Sequence, residues 1–216
     1  MRLGPRRFPV GAPTWPGTVP RPPVVSRTGA DFDTAWARSP TARRLRAGLV
    51  DFVVRPAVAV VASPEVDGRE RLERLPAPAI FAANHRSHLD TGLLLSVLPE
   101  RFRHKAVVAA AADYFFSTRA KGTLHALAFG AVPVERQRVN RRSADMTAAL
   151  VEDGWSLVIF PEGGRSPDGW GQDFRGGAAY LSVRTGVPVV PVYLDGTWEV
   201  WPKGRRLPRT GTSVSV

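Results

Sequence analysis

The sequence predicts an α/β fold: a central, mostly parallel (mixed) sheet covered by helices on both faces and preceded by an amphipathic N-terminal helix. Short continuous apolar runs bounded by turn residues read as strands buried on both sides. Stretches with helical spacing lie between them, so strands and helices alternate as parallel crossovers require. The length, 216 residues, is enough for one such domain with a sizeable core and some spare chain.

Residues 1–30 are rich in Pro, Gly and Arg, lack periodicity, and are expected to form a disordered or extended arm. Residues 31–63 are the next segment. In "SPTARRLRAGLVDFVV", Ser39 can cap, Pro40 suits a first turn, and Leu45, Leu49, Phe52 and Val53 share a face. Arg43, Arg44 and Arg46 lie off that face. Such a basic amphipathic helix suits an anionic membrane surface, or else packs on the domain as an ordinary surface helix.

Residues 64–216 hold the alternating pattern. "PAIFAAN" reads as a buried strand and "TGLLLSVL" as a helix, then "KAVVAAA" as a strand with helices around "DYFF" and "GTLHALAF". "AVPVE" is a short strand, "NRRSADMTAALVEDG" a helix ended by Gly154, and "SLVIF" a buried strand. "GGAAYLSVRTG" is a helix ending at Gly186, and "VPVVPVYL" a strand. The closing "GTSVSV" alternates like a strand, and the chain stops inside it. That predicts a domain lacking its C-terminal end.

There is no cysteine, which excludes disulfides, thiolate metal sites and a thiol nucleophile. Basic residues, mostly arginine, outnumber acidic ones by 30 to 19, for a net charge of +11. Such a surplus favours phosphate-bearing substrates, anionic lipid or nucleic acid. The N-terminal "MRLGPRRFPV" has positive charges but no apolar stretch after them, so it does not read as a signal peptide. "AGLVDFVVRPAVAVVAS" is too interrupted by Asp51, Arg55 and Pro56 to span a bilayer, though it could dip into its surface.

"FAANHRSHLD" follows a predicted strand and packs Asn84, His85, Ser87, His88 and Asp90 into a few residues. In parallel sheets, reacting groups collect where strands end and helices begin. Five positions on a regular helix rotate side chains by about 140°, so His85 and Asp90 meet only across a turn. Asp90 would then enter the next helix, where aspartate is also favoured as an N-cap. A carboxylate accepting the imidazole Nδ1–H fixes the tautomer and frees Nε2 to take a proton. Without a protein nucleophile, such a dyad suits deprotonation of a substrate hydroxyl that attacks a carbonyl. No G-x-S-x-G elbow is present. Metal binding is the rival use of His85, His88 and Asp90, but H-E-x-x-H is absent, and no metal is expected. His104 and His125 look like histidines in unremarkable apolar surroundings.

"IFPEGGRSPDG" likewise follows a buried strand. Glu162 and Arg165 flank Gly163 and Gly164, which permit close backbone approach, so backbone N–H groups and an arginine form a candidate anion cradle. Neither a Walker A nor a G-x-G-x-x-G pattern accompanies it. In "GAVPVERQ", Arg136 follows a short strand and could reach a phosphate in the same cleft.

"NHRSHLD", "GAVPVERQ", "FPEGGRS" and "VPVVPVYL", in this order and spacing, resemble the glycerolipid acyltransferase family of the 1-acyl-glycerol-3-phosphate acyltransferase type. The resemblance covers roughly residues 75–205, and "WPKGRRLPR" is similar to the segment that follows there. It departs in having Gly164 where threonine is more usual, and in missing a further C-terminal helix. The resemblance implies acyl transfer from acyl-CoA or acyl-carrier protein to a lysophospholipid hydroxyl, most simply 1-acyl-glycerol-3-phosphate, giving phosphatidic acid. It implies His85 as general base, Asp90 as its orienter, and Arg136, Glu162, Gly163, Gly164, Arg165 and Ser166 as substrate-binding residues. Arg136, Arg165 and the glycine backbone would hold the acceptor phosphate, and Glu162 would order Arg165 or a substrate hydroxyl. The oxyanion donor is expected in the backbone near His85. No cofactor beyond the acyl donor is implied. The expected partners are the lysophospholipid, the donor and an anionic membrane surface, with the protein peripheral on its cytoplasmic face. Another lipid or glycolipid hydroxyl acceptor is the alternative. Nucleic-acid binding finds little support, because aromatics do not interleave with the arginines.

Overall fold

The structure, a computed structural model, describes residues 28–136 and 141–216. Most of the expected N-terminal arm therefore lies outside the described residues. Helix α1 (Pro40–Leu49) starts as its sequence dictates, with the Ser39 side chain accepting from the Ala42 amide and Pro40 in the first turn. It widens into a π-helical turn over Val50–Val54 and continues as α2 (Arg55–Ala62). Pro56, which has no N–H to donate, sits at the start of α2. Strand β1 (Pro64–Glu65) and helix α3 (Arg69–Arg74) lead to the main sheet.

That sheet is built from β2 (Ile80–Ala83), β3 (Ala106–Ala111), β4 (Ala131–Val134), β5 (Ser156–Ile159) and β6 (Val189–Val192). The connecting helices are α4 (Asp90–Val97), α5 (Glu100–Arg103), α6 (Ala112–Phe115), α7 (Arg119–Phe129), α8 (Arg141–Glu152) and α9 (Gly177–Thr185). Helix α10 (Thr197–Val200) and strand β7 (Val214–Ser215) complete the described chain. The strand order is β4-β3-β5-β2-β6, and every one of these pairings is parallel.

Pleating divides each strand between two cores. Phe81, Ala83, Val108 and Val158 face a cluster with Val58, Leu93, Leu94 and Phe102, whereas Ile80, Val107 and Leu157 face one with Ala148, Val151, Trp155 and Leu181. Burying each of these larger side chains contributes about 1.5–3 kcal/mol. Helices α2 and α4 thus cover one face, and α8 and α9 the other. The closing "GTSVSV" does form a strand: β7 pairs in parallel with β1.

The N-terminal helix packs on the domain, but in a sense its pattern does not disclose. Val50, Val58 and Ala62 join the core, and Arg46 points inward and is buried. Leu45, Phe52 and Val53 are turned outward, with Phe52 82% exposed. Arg46 finds partners at helix ends: its Nη1 donates to Ala37 O at 3.0 Å and Ala126 O at 3.4 Å. Ala126 O already accepts the Gly130 amide at 3.1 Å, but carbonyls in the last turn of a helix carry the negative end of its dipole and favour a cation, which offsets part of the burial cost.

Candidate active site

The segment after β2 turns sharply, and Asp90, the first residue of α4, is what turns it. Its carboxylate does not cap α4. It points back, and Oδ2 accepts from Arg86 N (2.7 Å), Ser87 N (2.7 Å) and His85 Nδ1 (2.8 Å). Asp90 is completely buried, and the His85 ring, still partly exposed, lies on Phe160 with centroids 4.1 Å apart at 20°. The dyad expected from the sequence is therefore formed. The carboxylate orders the loop and the imidazole together, because one oxygen serves both.

The second motif is joined to the first. Glu162, buried beyond the end of β5, accepts the His85 amide at 3.0 Å through Oε1. Ser166 N donates to His85 O at 2.8 Å. The Glu162–Ser166 turn therefore grips His85 by both backbone groups. Gly163 has φ +75°, a left-handed conformation that glycine adopts without a Cβ penalty.

Arg136 and Arg165 both reach this turn. Arg136 Nη2 pairs with Asp113 at 2.8 Å, and Nη1 reaches Gly163 O at 3.5 Å. Arg165 lies against the His88 ring and 5.9 Å from the Tyr114 ring centroid. Burial, then the charges of Arg165 and His85, push the His88 imidazole below its ordinary value. A metal on His88 would therefore meet a guanidinium, which disfavours the rival reading of this cluster.

Several expectations need correction. Glu162 holds His85 and accepts from Gln172 Nε2 at 3.2 Å, whereas Arg165 is placed on His88. Ser166 is fully buried, and its hydroxyl donates to Asp168 Oδ1 and accepts from Gly169 N, so it shapes the turn. The backbone near His85 is spent: the amides of residues 85–89 donate to Glu162, Asp90, Asp90, Trp201 O and Ser87 Oγ. None of these is left for an oxyanion. His104 is not in apolar surroundings, because it bonds Asp51 at 2.9 Å and Glu100 at 3.3 Å. His125 does lie between Phe115 and Phe129, with Nδ1 2.8 Å from Lys121 O.

Sequence reasoning missed three contributors. Gln172 ties Glu162 to Gly164 O. Arg175 places its guanidinium about 3.0 Å from where a Cβ on Gly163 would stand. Asn84 donates to Leu194 O (2.8 Å) and accepts from Leu194 N (2.7 Å), clamping the chain beyond β6. Asn84 stood inside the first motif, so its position at a strand end was the available signal. Gln172 and Arg175 carried none, because they lie in an aperiodic loop.

A parallel sheet with a histidine–carboxylate pair at the strand ends, set against an arginine-bearing glycine turn, defines a class of α/β proteins equipped for proton transfer beside an anion. Residues 63–195 match the Acyltransferase family model, and the chain belongs to that family. It is 34% identical over 143 residues to a chloroplastic 1-acyl-sn-glycerol-3-phosphate acyltransferase of Brassica napus, covering 65% of this chain and 39% of that protein. The human 1-acyl-sn-glycerol-3-phosphate acyltransferase beta is 34% identical over 133 residues, covering 59% of this chain and 45% of its own. The chain thus spans less than half the length of these relatives. Among solved structures, the 1-acyl-sn-glycerophosphate acyltransferase PlsC of Thermotoga maritima shares the fold, with a TM-score of 0.56 and 23% identity over 81% of this chain and 64% of that one.

Proposed function

We propose that this protein transfers a fatty acyl group from a thioester, acyl-CoA or acyl-carrier protein, to the free hydroxyl of 1-acyl-glycerol-3-phosphate, giving phosphatidic acid. The observation that carries the reading is the 2.8 Å bond from His85 Nδ1 to buried Asp90 beside the arginine-flanked glycine turn. With Nδ1–H donated to Asp90, Nε2 is the basic nitrogen. It takes the acceptor hydroxyl's proton as the oxygen attacks the thioester carbonyl. The tetrahedral intermediate then expels the thiolate, which recovers the proton from the imidazolium, and no acyl-enzyme forms. The Phe160 ring under the imidazole resists tilting of the base.

Arg136 and Arg165 hold the acceptor phosphate on either side of Gly163–Gly164, and Arg136 exchanges part of its contact with Asp113 for the ligand. The amides of Gly164 and Arg165 donate to no acceptor among the described residues, so they are the candidates for the oxyanion. The proposed reaction needs no cofactor beyond the donor. Leu45, Phe52, Val53 and Val60, all exposed on the N-terminal helices, support a peripheral position on an anionic, cytoplasmic membrane face. No helix among the described residues is long and apolar enough to cross a membrane.

The test is thiol release from acyl-CoA by the purified full chain in the presence of 1-acyl-glycerol-3-phosphate. Folded His85→Ala protein should show none. Substantial turnover by that variant would end the base assignment.

A further inference from the structure

The catalytic groups use the C-terminal ends of the strands, yet a concentrated positive cluster lies at the opposite edge. Lys105 immediately precedes β3, and Trp155 precedes β5. Helix α1 crosses nearby, and its Arg43, Arg46 and Ala47 share a face with Val50 of the π-helical turn that follows. Here Arg43 and Arg46, with Arg103 and His104, line a narrow slot. Arg43 and His104 also border a groove of about 470 Å³, completed by Glu100, Arg101 and Lys105.

The cations in this region are incompletely matched. Arg46 is 5% exposed and has no carboxylate partner among the described residues, and its Nη2 and the Arg43 Nε beside it are buried without a hydrogen-bond partner there. Burial, then the charges of Arg43 and Arg38, lower Arg46 to about 10, so it remains a cation at neutral pH. Asp51 answers Arg103 at 2.8 Å and His104 at 2.9 Å. Glu100 reaches His104 at 3.3 Å, but its side chain is 75% exposed. Arg43 and Lys105 lie 5.5 and 5.8 Å from the Trp155 ring centroid, and Lys105 Nζ also donates to Asp153 O at 2.9 Å. The Asp153 carboxylate is turned to Trp155 Nε1 at 3.0 Å, and neither cation forms an ion pair among the described residues. Buried cations without counter-ions create a potential that an anion relieves.

We propose that this slot and groove form a second anion site, away from the catalytic edge, that takes a phosphate group: Arg43 and Lys105 contact it, and buried Arg46 supplies field from behind. Two sources share that chemistry, an anionic phospholipid headgroup and a free phosphate. The outward Leu45 and Phe52 of the same helical segment favour the lipid. The site does not depend on the proposed acyl transfer, and its readout is binding.

The experiment uses the full chain carrying Arg136→Gln and Arg165→Gln, which removes the proposed catalytic-edge phosphate ligands. Calorimetric titration with inorganic phosphate should still saturate. Adding Arg43→Gln and Lys105→Gln should weaken binding about tenfold or more, the effect of losing charge-assisted hydrogen bonds. Lys105→Gln alone, at a partly exposed position, covers the case in which the Arg43 change impairs folding. Cosedimentation with phosphatidylcholine vesicles containing phosphatidylglycerol identifies the source. A larger loss on these vesicles than in free phosphate assigns the lipid, and a loss confined to free phosphate assigns a soluble anion. Phosphate and vesicle binding that both survive Arg43→Gln/Lys105→Gln and Lys105→Gln unchanged would overturn the site.

Discussion

Changing Asp90 to asparagine and to alanine separates chemistry from architecture. Asp90 Oδ2 accepts three bonds, two from backbone amides and one from the imidazole. In Asp90→Asn, an amide oxygen at the same position retains all three acceptor contacts but carries no charge. The imidazolium formed in the proposed mechanism then lacks its buried counter-ion. Losing one partner of a buried pair costs about 3–5 kcal/mol, which at about 1.4 kcal/mol per decade is a fall of roughly two to three and a half decades in kcat. In Asp90→Ala the Arg86 and Ser87 amides lose their acceptor, at about 1–3 kcal/mol each, so the midpoint of denaturant unfolding should also fall clearly. Thiol-release kinetics and urea unfolding measured on both variants test this. If Asp90→Asn retains kcat within a few-fold, the carboxylate is only a loop clasp and the proton-transfer reasoning is refuted.

Arg136→Ala and Arg165→Ala should chiefly raise the apparent KM for the phosphate-bearing acceptor, with little change in kcat; an unchanged KM in both would place the phosphate elsewhere. Gly163→Ala should lower the melting temperature, since a left-handed non-glycine residue costs about 1–2 kcal/mol and its Cβ would press on Arg175. Gly164→Thr should be tolerated, because its Cβ would stand 3.6 Å from Arg136 Nη1, an ordinary contact; equal melting losses in the two variants would contradict that. Ser166→Ala should cost about 1 kcal/mol, because the half-buried Gly169 amide loses its acceptor, and should leave acceptor KM near the parent value. A selective rise in KM would restore Ser166 to the substrate.

The sheet was legible because parallel strands buried on both faces leave long apolar traces, as in "PAIFAAN" and "SLVIF". The dyad was legible because strand ends in such sheets gather reacting groups. The orientation of α1 was not. Helical periodicity locates an apolar stripe but does not say which side the domain covers, and here Arg46 turns inward on helix-end carbonyls while Phe52 faces out. The role of Ser166 was equally hidden, because a hydroxyl committed to Asp168 and one aimed at a ligand look alike in one dimension. The oxyanion expectation failed for a related reason. Amides can be counted in a sequence, but where each N–H donates depends on loop closure, and Asp90 and Glu162 consume those beside His85.

The parallel register makes the position of His85 depend on three strand ends at once. Ala82 of β2 pairs with Ile159 of β5, and Ala83 with Val192 of β6, so the loops after all three strands emerge side by side. Glu162 and Ser166 fix His85 from the β5 side, and Asn84 fixes the segment from the β6 side through Leu194. The Asn84 carboxamide both donates to and accepts from that one residue, which an ionised carboxylate, an acceptor only, cannot do. In Asn84→Asp, a carboxylate oxygen would face Leu194 O at a buried position, an unpaired charge costing several kcal/mol. In Asn84→Ala both bonds are lost and the edge loosens, with less electrostatic penalty. The aspartate variant should therefore unfold at lower urea than the alanine variant, the reverse of what side-chain volume predicts. In Asn84→Ala, kcat should fall while acceptor KM holds, because the displaced group is the proposed base and the arginines follow other strands, β4 and β5. Equal urea midpoints, or a loss confined to KM, would show that the clamp does not position His85.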